Sequence, residues 1–424
     1  MTAKTTSLDI SEHVYPILGV EKYDALWVLV RHRTRPLGWV WISCEDRDFI
    51  PSEELQWCIS QQLELQGTQN LLNSQLNTSP DSQNAAPESL QPISIIICTR
   101  DRTEFLKICI RQIIRLDYPH FEVIVVDNAP SNDETFQLIQ QFSNVRYVQE
   151  SRPGLDWARN RGIKEARYDV IAFTDDDACV DALWLHAINN AFQEPEVMAV
   201  TGLVGPAELE ADAQYVFEFD YGGMGHGLKP KFFRRQQMDN QDLLWASGFG
   251  VGVNMAYRRQ VFSQIGDFDI ALDVGTPSGG CGDVEMFHRL VANGYTLMYE
   301  PSMLVWHTHR RDMKALQKQI FDNGRSFGAY LLTCIRNRSV PITEVVTFLL
   351  YSWFYQWILM RLLNPGKFPR KLVWVELFGM LKSPIGYMAA QKKARHITEL
   401  SNTIVTSAQA EADKSENGSL QEVI

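Results

Sequence analysis

Residues 93–102 read ISIIICTRDR, and this stretch decides the fold. Ile93 to Cys98 is a short apolar run rich in β-branched side chains. That pattern predicts a strand buried on both faces rather than a surface helix. Downstream, residues 104–116 carry amphipathic helical spacing. Residues 122–126 (EVIVV) form a second apolar run and 170–173 a third, each preceded by a helix-like segment. Strands alternating with helices predict an α/β fold, a mostly parallel sheet flanked by helices.

Ligands of such sheets bind beyond the carboxyl ends of the strands. The polar residues stand there: Thr99-Arg100-Asp101-Arg102 after the first strand, Asp127-Asn128 after the second, Asp175-Asp176-Asp177 after the third. Asp and Asn also favour ordinary turns, which accounts for one such group more easily than for three. Carboxylates this close repel one another unless a divalent cation takes their oxygens. Residues two apart in extended chain point the same way, so Asp175 and Asp177 can face one ion while Asp176 faces away. A solvated acidic turn is the alternative. Between the second and third strands, RPGLDWARNRG (152–162) opens with Pro153-Gly154, suited to a helix N-terminus that favours anions. Arg159 on that helix could meet a diphosphate or simply be a solvated cation.

The chain has 424 residues, 45% of them hydrophobic, and a net charge of −11. It holds enough apolar material for two domains, and its acidity argues against a nucleic-acid partner. Seven cysteines without C-x-x-C spacing disfavour a disulfide framework or structural zinc and fit a cytoplasmic protein. The charge is uneven: residues 310–395 carry +11 and the remainder −22.

Residues 1–66 read as a small accessory module. It has strands at 26–31 and 38–42 joined by a turn at 35–37, a helix at 51–66, and no signal-peptide core before them. Residues 67–91 have linker composition. The α/β region with these motifs spans 92–310. In the basic helical region 311–400, residues 345–360 are the most apolar of the chain, and 372–381 form a second apolar segment closed by Lys382 and Pro384. These segments fit either shallow, peripheral attachment to an anionic membrane surface or packing on protein. Residues 401–424 read as a disordered tail.

The ordered set TRDR (99–102), VVDNAPSND (125–133), RPGLDWARNRG and FTDDDA (173–178) resembles the inverting glycosyltransferases of family 2, which have a nucleotide-sugar-binding GT-A fold. The resemblance implies transfer of a sugar from a nucleoside-diphosphate sugar, most commonly a UDP-sugar, to an acceptor hydroxyl with Mn²⁺ or Mg²⁺ as cofactor. A saccharide or lipid-linked acceptor, in polysaccharide or glycolipid synthesis, is implied with it. By the same resemblance Asp127 recognises the base, and Thr99, Arg100, Asp101, Arg159, Asp175 and Asp176 line the donor site. Asp177 and His307, the latter in WHTHRR (306–311), are the expected metal ligands. Trp245 and Gly248 and Asn254 of GFGVGVN (248–254) fall on the acceptor side. In GGCGDVE (279–285), Asp283 matches the catalytic base, Gly282 stands where Glu is common, and Glu285 is the candidate to compensate. Asp283 also suits a helix N-cap. The competing functions are a sugar nucleotidyltransferase, disfavoured because no Gly-rich, Lys-containing loop follows the first strand, and a non-catalytic nucleotide-sugar scaffold.

Overall fold

The structure, a computed structural model, describes residues 2–45, 47–65, 90–364, 366 and 368–421. The expected linker lies almost wholly outside them. In the N-terminal module, β1 (Ala3–Asp9), β3 (Ala25–His32) and β4 (Arg35–Ser43) form a sheet. The short β2 (Ile17–Leu18) pairs with β5 (Phe49–Ile50), and a helix follows at Ser52–Leu65. The turn between β3 and β4 falls at residues 33–34, not 35–37, because Arg33 takes a left-handed conformation (φ 54°) and Arg35 already pairs with His32. The polar start of the chain is strand β1, parallel to β3. Leu55, Ile59 and Leu63 of the helix are buried in the module's own core with Val28, Val30 and Val40.

Nine strands form the central sheet: β6 (Ile93–Thr99), β7 (Phe121–Asn128), β8 (Val145–Glu150), β9 (Val170–Asp175), β10 (Ala178–Val180), β11 (Val197–Pro206), β12 (Lys231–Phe233), β13 (Met255–Arg258) and β14 (Thr296–His307). Their order is β10-β14-β11-β13-β9-β6-β7-β8, with β12 on β14. The β9-β6-β7-β8 half is parallel, as expected from the apolar runs. The other half is mixed: β13 runs antiparallel to both neighbours, and β11 is parallel to β14. Side chains alternate across the sheet, so Ile96 joins one apolar layer while Ile95 and Ile97 join the opposite one.

Register sets the site. Thr99 pairs with Asp127 and Cys98 with Asp175, so three strand ends reach one rim. The accessory module docks beside it. Arg31 donates two hydrogen bonds to Asp181 (3.0 and 2.9 Å), and Trp39 meets Trp306 edge-on, one residue from His307.

Three long helices complete the chain at Met313–Asn337, Ile342–Leu363 and Arg370–Gln421. The last does not stop at Pro384. Proline removes a hydrogen bond to the carbonyl four residues back, here that of Met380, which accepts instead from Ser383 Oγ (2.7 Å). The backbone stays helical to Gln421, through a segment whose polar composition suggests disorder. Its Ala, Glu, Lys and Gln content has high helix propensity.

Candidate active site

A cavity of about 350 Å³ opens at the strand-end rim. Thr99, Arg102, Asn128 and Asp175–Asp177 line its floor, and Val274, Thr276, His307, Arg310 and Lys393 its walls. The acidic triplet divides as the extended-chain argument predicts. Asp175, Asp177 and His307 place ligand atoms within 4.8 Å of one another. Asp176 turns to Thr99 Oγ1 (2.7 Å) and to Arg102 Nη1 (2.8 Å). The other arm of the Arg102 guanidinium reaches Asp177 (2.5 Å).

Neighbours set different protonation behaviour along three consecutive residues. Burial pushes the Asp175 carboxyl up to about 6 and that of Asp176 to about 7. At Asp177 burial acts in the same direction, but His307 and Arg102 outweigh it and hold the carboxyl below its ordinary range. Burial lowers His307 to about 4, so it is a neutral imidazole at pH 7, and its Nδ1 is enclosed without a hydrogen-bond partner. Two carboxylates and a neutral imidazole are a fitting donor set for a divalent cation.

The second half of the site is buried apart from Asp283, which is partly exposed. Asp283 lies in the first turn of the helix Gly282–Ala292. It is not the N-cap, a position held by Cys281 in a left-handed conformation (φ 74°). Its Oδ2 accepts from the Gly252 N–H (2.7 Å) and its Oδ1 from the Val284 N–H (2.9 Å). A Cβ on Gly252 would lie 2.7 Å from Arg159 Nη2 and 2.8 Å from Asp283 Oδ2, so both groups close on that bare backbone. Arg159 is buried and donates to Asp156 (3.0 Å). Burial works against its charge, but Asp156 and Asp283 more than offset it and raise the guanidinium above its ordinary value. Arg159 therefore faces carboxylates inside the fold, not the cavity.

Gly282 is explained by the same cluster. A Cβ there would sit 2.0 Å from Asp156 Oδ2. A carboxylate thus already occupies the space beside residue 282, supplied by the helix Leu155–Glu165 instead of by the residue before Asp283. Glu285 lies apart from this cluster. It is buried on the other side of its helix, paired with Arg289 (3.0 Å), at a separate cavity.

Other expected residues are placed as follows. Asp127 is buried at the end of β7, and its Oδ2 accepts from the Tyr147 hydroxyl (3.0 Å). Its Oδ1 has no protein partner, and burial lifts the carboxyl to about 6. Arg100 lines the cavity and is exposed. Asp101 does not line it. This left-handed residue (φ 53°) accepts from the backbone N–H and hydroxyl of Ser131 (both 2.9 Å), which fastens the loop after β7. Asn254 and Trp245, expected on the acceptor side, both have partners within the protein. Asn254 is buried, donates to the carbonyls of Leu203 and Met303 and accepts from Trp184 Nε1. Trp245 packs on Phe327, Phe348 and Trp357 of the C-terminal helices. Gly248 is exposed with open space around it.

Asp156, Arg310 and Lys393 join the site without having been singled out from the sequence, and Arg102 and Asn128, expected there as strand-end residues, gain defined partners. Asn128 accepts from the Gly154 N–H (2.8 Å) and donates to the Arg152 carbonyl (2.8 Å), which fixes the approach to the Leu155 helix. Arg102 and Asp156 stand inside motifs already quoted, and only tertiary contacts assign them a role.

The family model for glycosyl transferase family 2 matches residues 94–266. That stretch is similar to the family 2 glycosyltransferases. It contains β6 to β13, the acidic triplet and Arg159, while Asp283 and His307 follow it in the chain. Three curated relatives give the range of similarity. The O-antigen biosynthesis protein RfbC of Myxococcus xanthus is 28% identical over 258 residues, 56% of this chain and 19% of that protein. Glycosyltransferase AglE of Haloferax volcanii is 26% identical over 54% of this chain and 70% of its own length. The poly-β-1,6-N-acetyl-D-glucosamine synthase of Staphylococcus aureus is 25% identical over 58% of this chain and 56% of its own. The chain thus spans only part of each of these relatives. Among solved structures it is similar to the mannosyltransferase PcManGT from Pyrobaculum calidifontis, solved in complex with GDP-Man and Mn²⁺. That match has 15% identity, a TM-score of 0.42, and covers 76% of this chain and 80% of that one.

Proposed function

We propose that the protein is an inverting glycosyltransferase that moves a sugar from a nucleoside-diphosphate sugar to an acceptor hydroxyl in polysaccharide or glycolipid synthesis. The observation that carries this is the meeting, at the end of the family 2-like stretch, of two elements. One is the Asp175–Asp177–His307 donor set; the other is Asp283, held by the Gly252 N–H beside Arg159. The base, Asp283, takes the proton of the acceptor hydroxyl as that oxygen attacks the anomeric carbon, and the bond from that carbon to the diphosphate oxygen breaks. One displacement inverts the anomeric configuration. Asp127 presents an unpaired carboxylate oxygen to an N–H of the base, and a uracil nucleotide is the donor we assign. Arg100, Arg310 and Lys393 face the diphosphate from the rim. Bound Mn²⁺ or Mg²⁺ supplies positive charge to the departing diphosphate, and Asp175, Asp177 and His307 are the groups that would hold it.

The test is to incubate the purified full chain with UDP- and GDP-sugars, with and without Mn²⁺, and follow nucleoside-diphosphate release and the anomeric configuration of the product. Metal-dependent release with inversion supports the reading. Pyrophosphate turnover would point to a nucleotidyltransferase, and nucleotide binding without donor turnover to a scaffold.

A further inference from the structure

The helix Arg370–Gln421 has two unlike faces. Its inner face is locked into the protein. Leu372, Val373, Met380 and Tyr387 are buried, Gly379 touches the Phe321 carbonyl region of the preceding long helix, and Gly386 lies against the Pro277 carbonyl. Its outer face carries Trp374, Phe378, Leu381, Ile385 and Met388, each between 48% and 65% exposed. Their spacing, alternately four and three residues, makes one continuous stripe, ~21 Å long at 1.5 Å per residue. Exposed Arg370 and Lys371 stand at one end of it, Lys382 on its edge, and Lys392 and Arg395 at the other end. The acid on this helix between residues 370 and 398, Glu376, is buried on the inner face, where it accepts from Trp357 Nε1 (3.0 Å) and the Tyr221 hydroxyl (3.1 Å).

That bond ties the helix to its neighbour Ile342–Leu363, which is long and apolar enough to cross a membrane. This neighbour is also two-faced. Val345, Phe348, Trp353 and Ile358 are buried in the main core, while Ile342, Val346, Leu350 and Phe354 are exposed at four-residue intervals. With that side buried, only its outer side is left to meet a bilayer.

We propose that the Trp374–Met388 stripe is a docking surface for an anionic phospholipid bilayer, into which the helix settles lengthwise with its basic residues at the headgroups. Charge decides between this occupant and a second copy of the chain. Pairing two such stripes would bring Lys371, Lys382 and Lys392 of both copies together, with Glu399, past the end of the stripe, as the one exposed acid among residues 370–399. Anionic headgroups supply the missing negative charge, and the apolar side chains supply the rest of the attraction. The proposal does not depend on the sugar-transfer reading.

Flotation of the full chain with phosphatidylcholine vesicles, with and without phosphatidylglycerol, tests it. The wild type is expected to float with the phosphatidylglycerol vesicles and to be released by salt. Phe378→Glu/Ile385→Glu should weaken partitioning on the order of 100-fold, from the loss of two apolar insertions, with unchanged thermal unfolding. Lys371→Glu/Lys382→Glu, which leaves the stripe intact, should abolish the preference for anionic vesicles. Absence of flotation, wild-type flotation by the folded Phe378→Glu/Ile385→Glu variant, or a dimer in light scattering that this variant dissolves would each overturn the proposal.

Discussion

The two halves of the site hold their carboxylates by opposite means. At the rim, Asp175, Asp176 and Asp177 are consecutive, and Arg102 reaches two of them from a partly exposed position. In the interior, the buried Arg159 is met by Asp156 and by the partly exposed Asp283, which come from separate segments. Negative charge at the rim can be exchanged, because an incoming cation can replace Arg102 or a proton. Charge in the interior is fixed, because removing one partner strands another away from water. The rim therefore suits binding and release, and the interior suits holding a catalytic base in one position.

The largest expected effect tests the fixed half. Asp283→Asn keeps the size of the side chain and its contact distance to Gly252 but removes the basic oxygen. Sugar transfer should fall about a thousandfold, the middle of the usual range for a general base. Nucleoside-diphosphate binding, measured by calorimetry with Mn²⁺, should change little. Wild-type turnover in this variant would remove Asp283 from the chemistry.

Next comes the tightest interior contact. In Gly282→Ala the new methyl meets Asp156 Oδ2 at 2.0 Å. Displacing a buried carboxylate and its arginine should cost ~2 kcal/mol of stability, as overpacking does, and roughly 100-fold in turnover through misplacement of the adjacent Asp283. Adding Asp156→Ser empties the contested space but strands the buried Arg159, so it should restore neither the unfolding temperature nor turnover. A Gly282→Ala enzyme that unfolds and reacts like wild type would show that the interior is not rigid.

The contrast also separates what the sequence reveals from what it hides. The rim was legible because apolar runs predict strands, and parallel strands end on one side with their register aligned. The pairs Thr99–Asp127 and Cys98–Asp175 follow from that rule. The family resemblance added His307, far along the chain, to the acidic triplet. The interior was not legible, since Asp156 stands 126 residues before Gly282 and nothing in either motif announces their contact. The protein partners of Asn254 and Trp245 were hidden for a related reason. A polar amide beside glycines and a tryptophan near them look like ligand groups until tertiary structure fills the amide's hydrogen bonds and covers the ring. Pro384 misled because Ser383 caps the carbonyl that a proline frees, which no propensity scale anticipates.

The exchangeable half should respond to pH. Burial holds the Asp127 carboxyl near 6, so it is ionised above that pH and accepts an N–H from the base. As pH falls through about 6 that acceptor is protonated, and nucleotide affinity should drop toward tenfold per pH unit below it, the limit for one proton. Asp127→Asn should flatten the profile. The stability sign is the reverse. A carboxyl raised above its unfolded value stabilises the fold fully below about pH 4 and loses that contribution as pH rises through 6. Thermal unfolding of Asp127→Asn should therefore gain on wild type at pH 8 relative to pH 4.

The smallest expected effect belongs to Lys393, at the outermost edge of the rim. It lines the cavity from the C-terminal helix, yet it is exposed and has solvent on its other side. An exposed ammonium near a diphosphate contributes at most about 1 kcal/mol once water and salt screen it, so Lys393→Ala should raise the donor KM only about threefold to fivefold. Added salt should shrink the difference between the two proteins, while the Asp283→Asn defect stays the same. A Lys393→Ala effect that is large and insensitive to salt would mean that the C-terminal helix closes over the donor and takes Lys393 out of water, which would move this residue from the exchangeable half of the site to the fixed one.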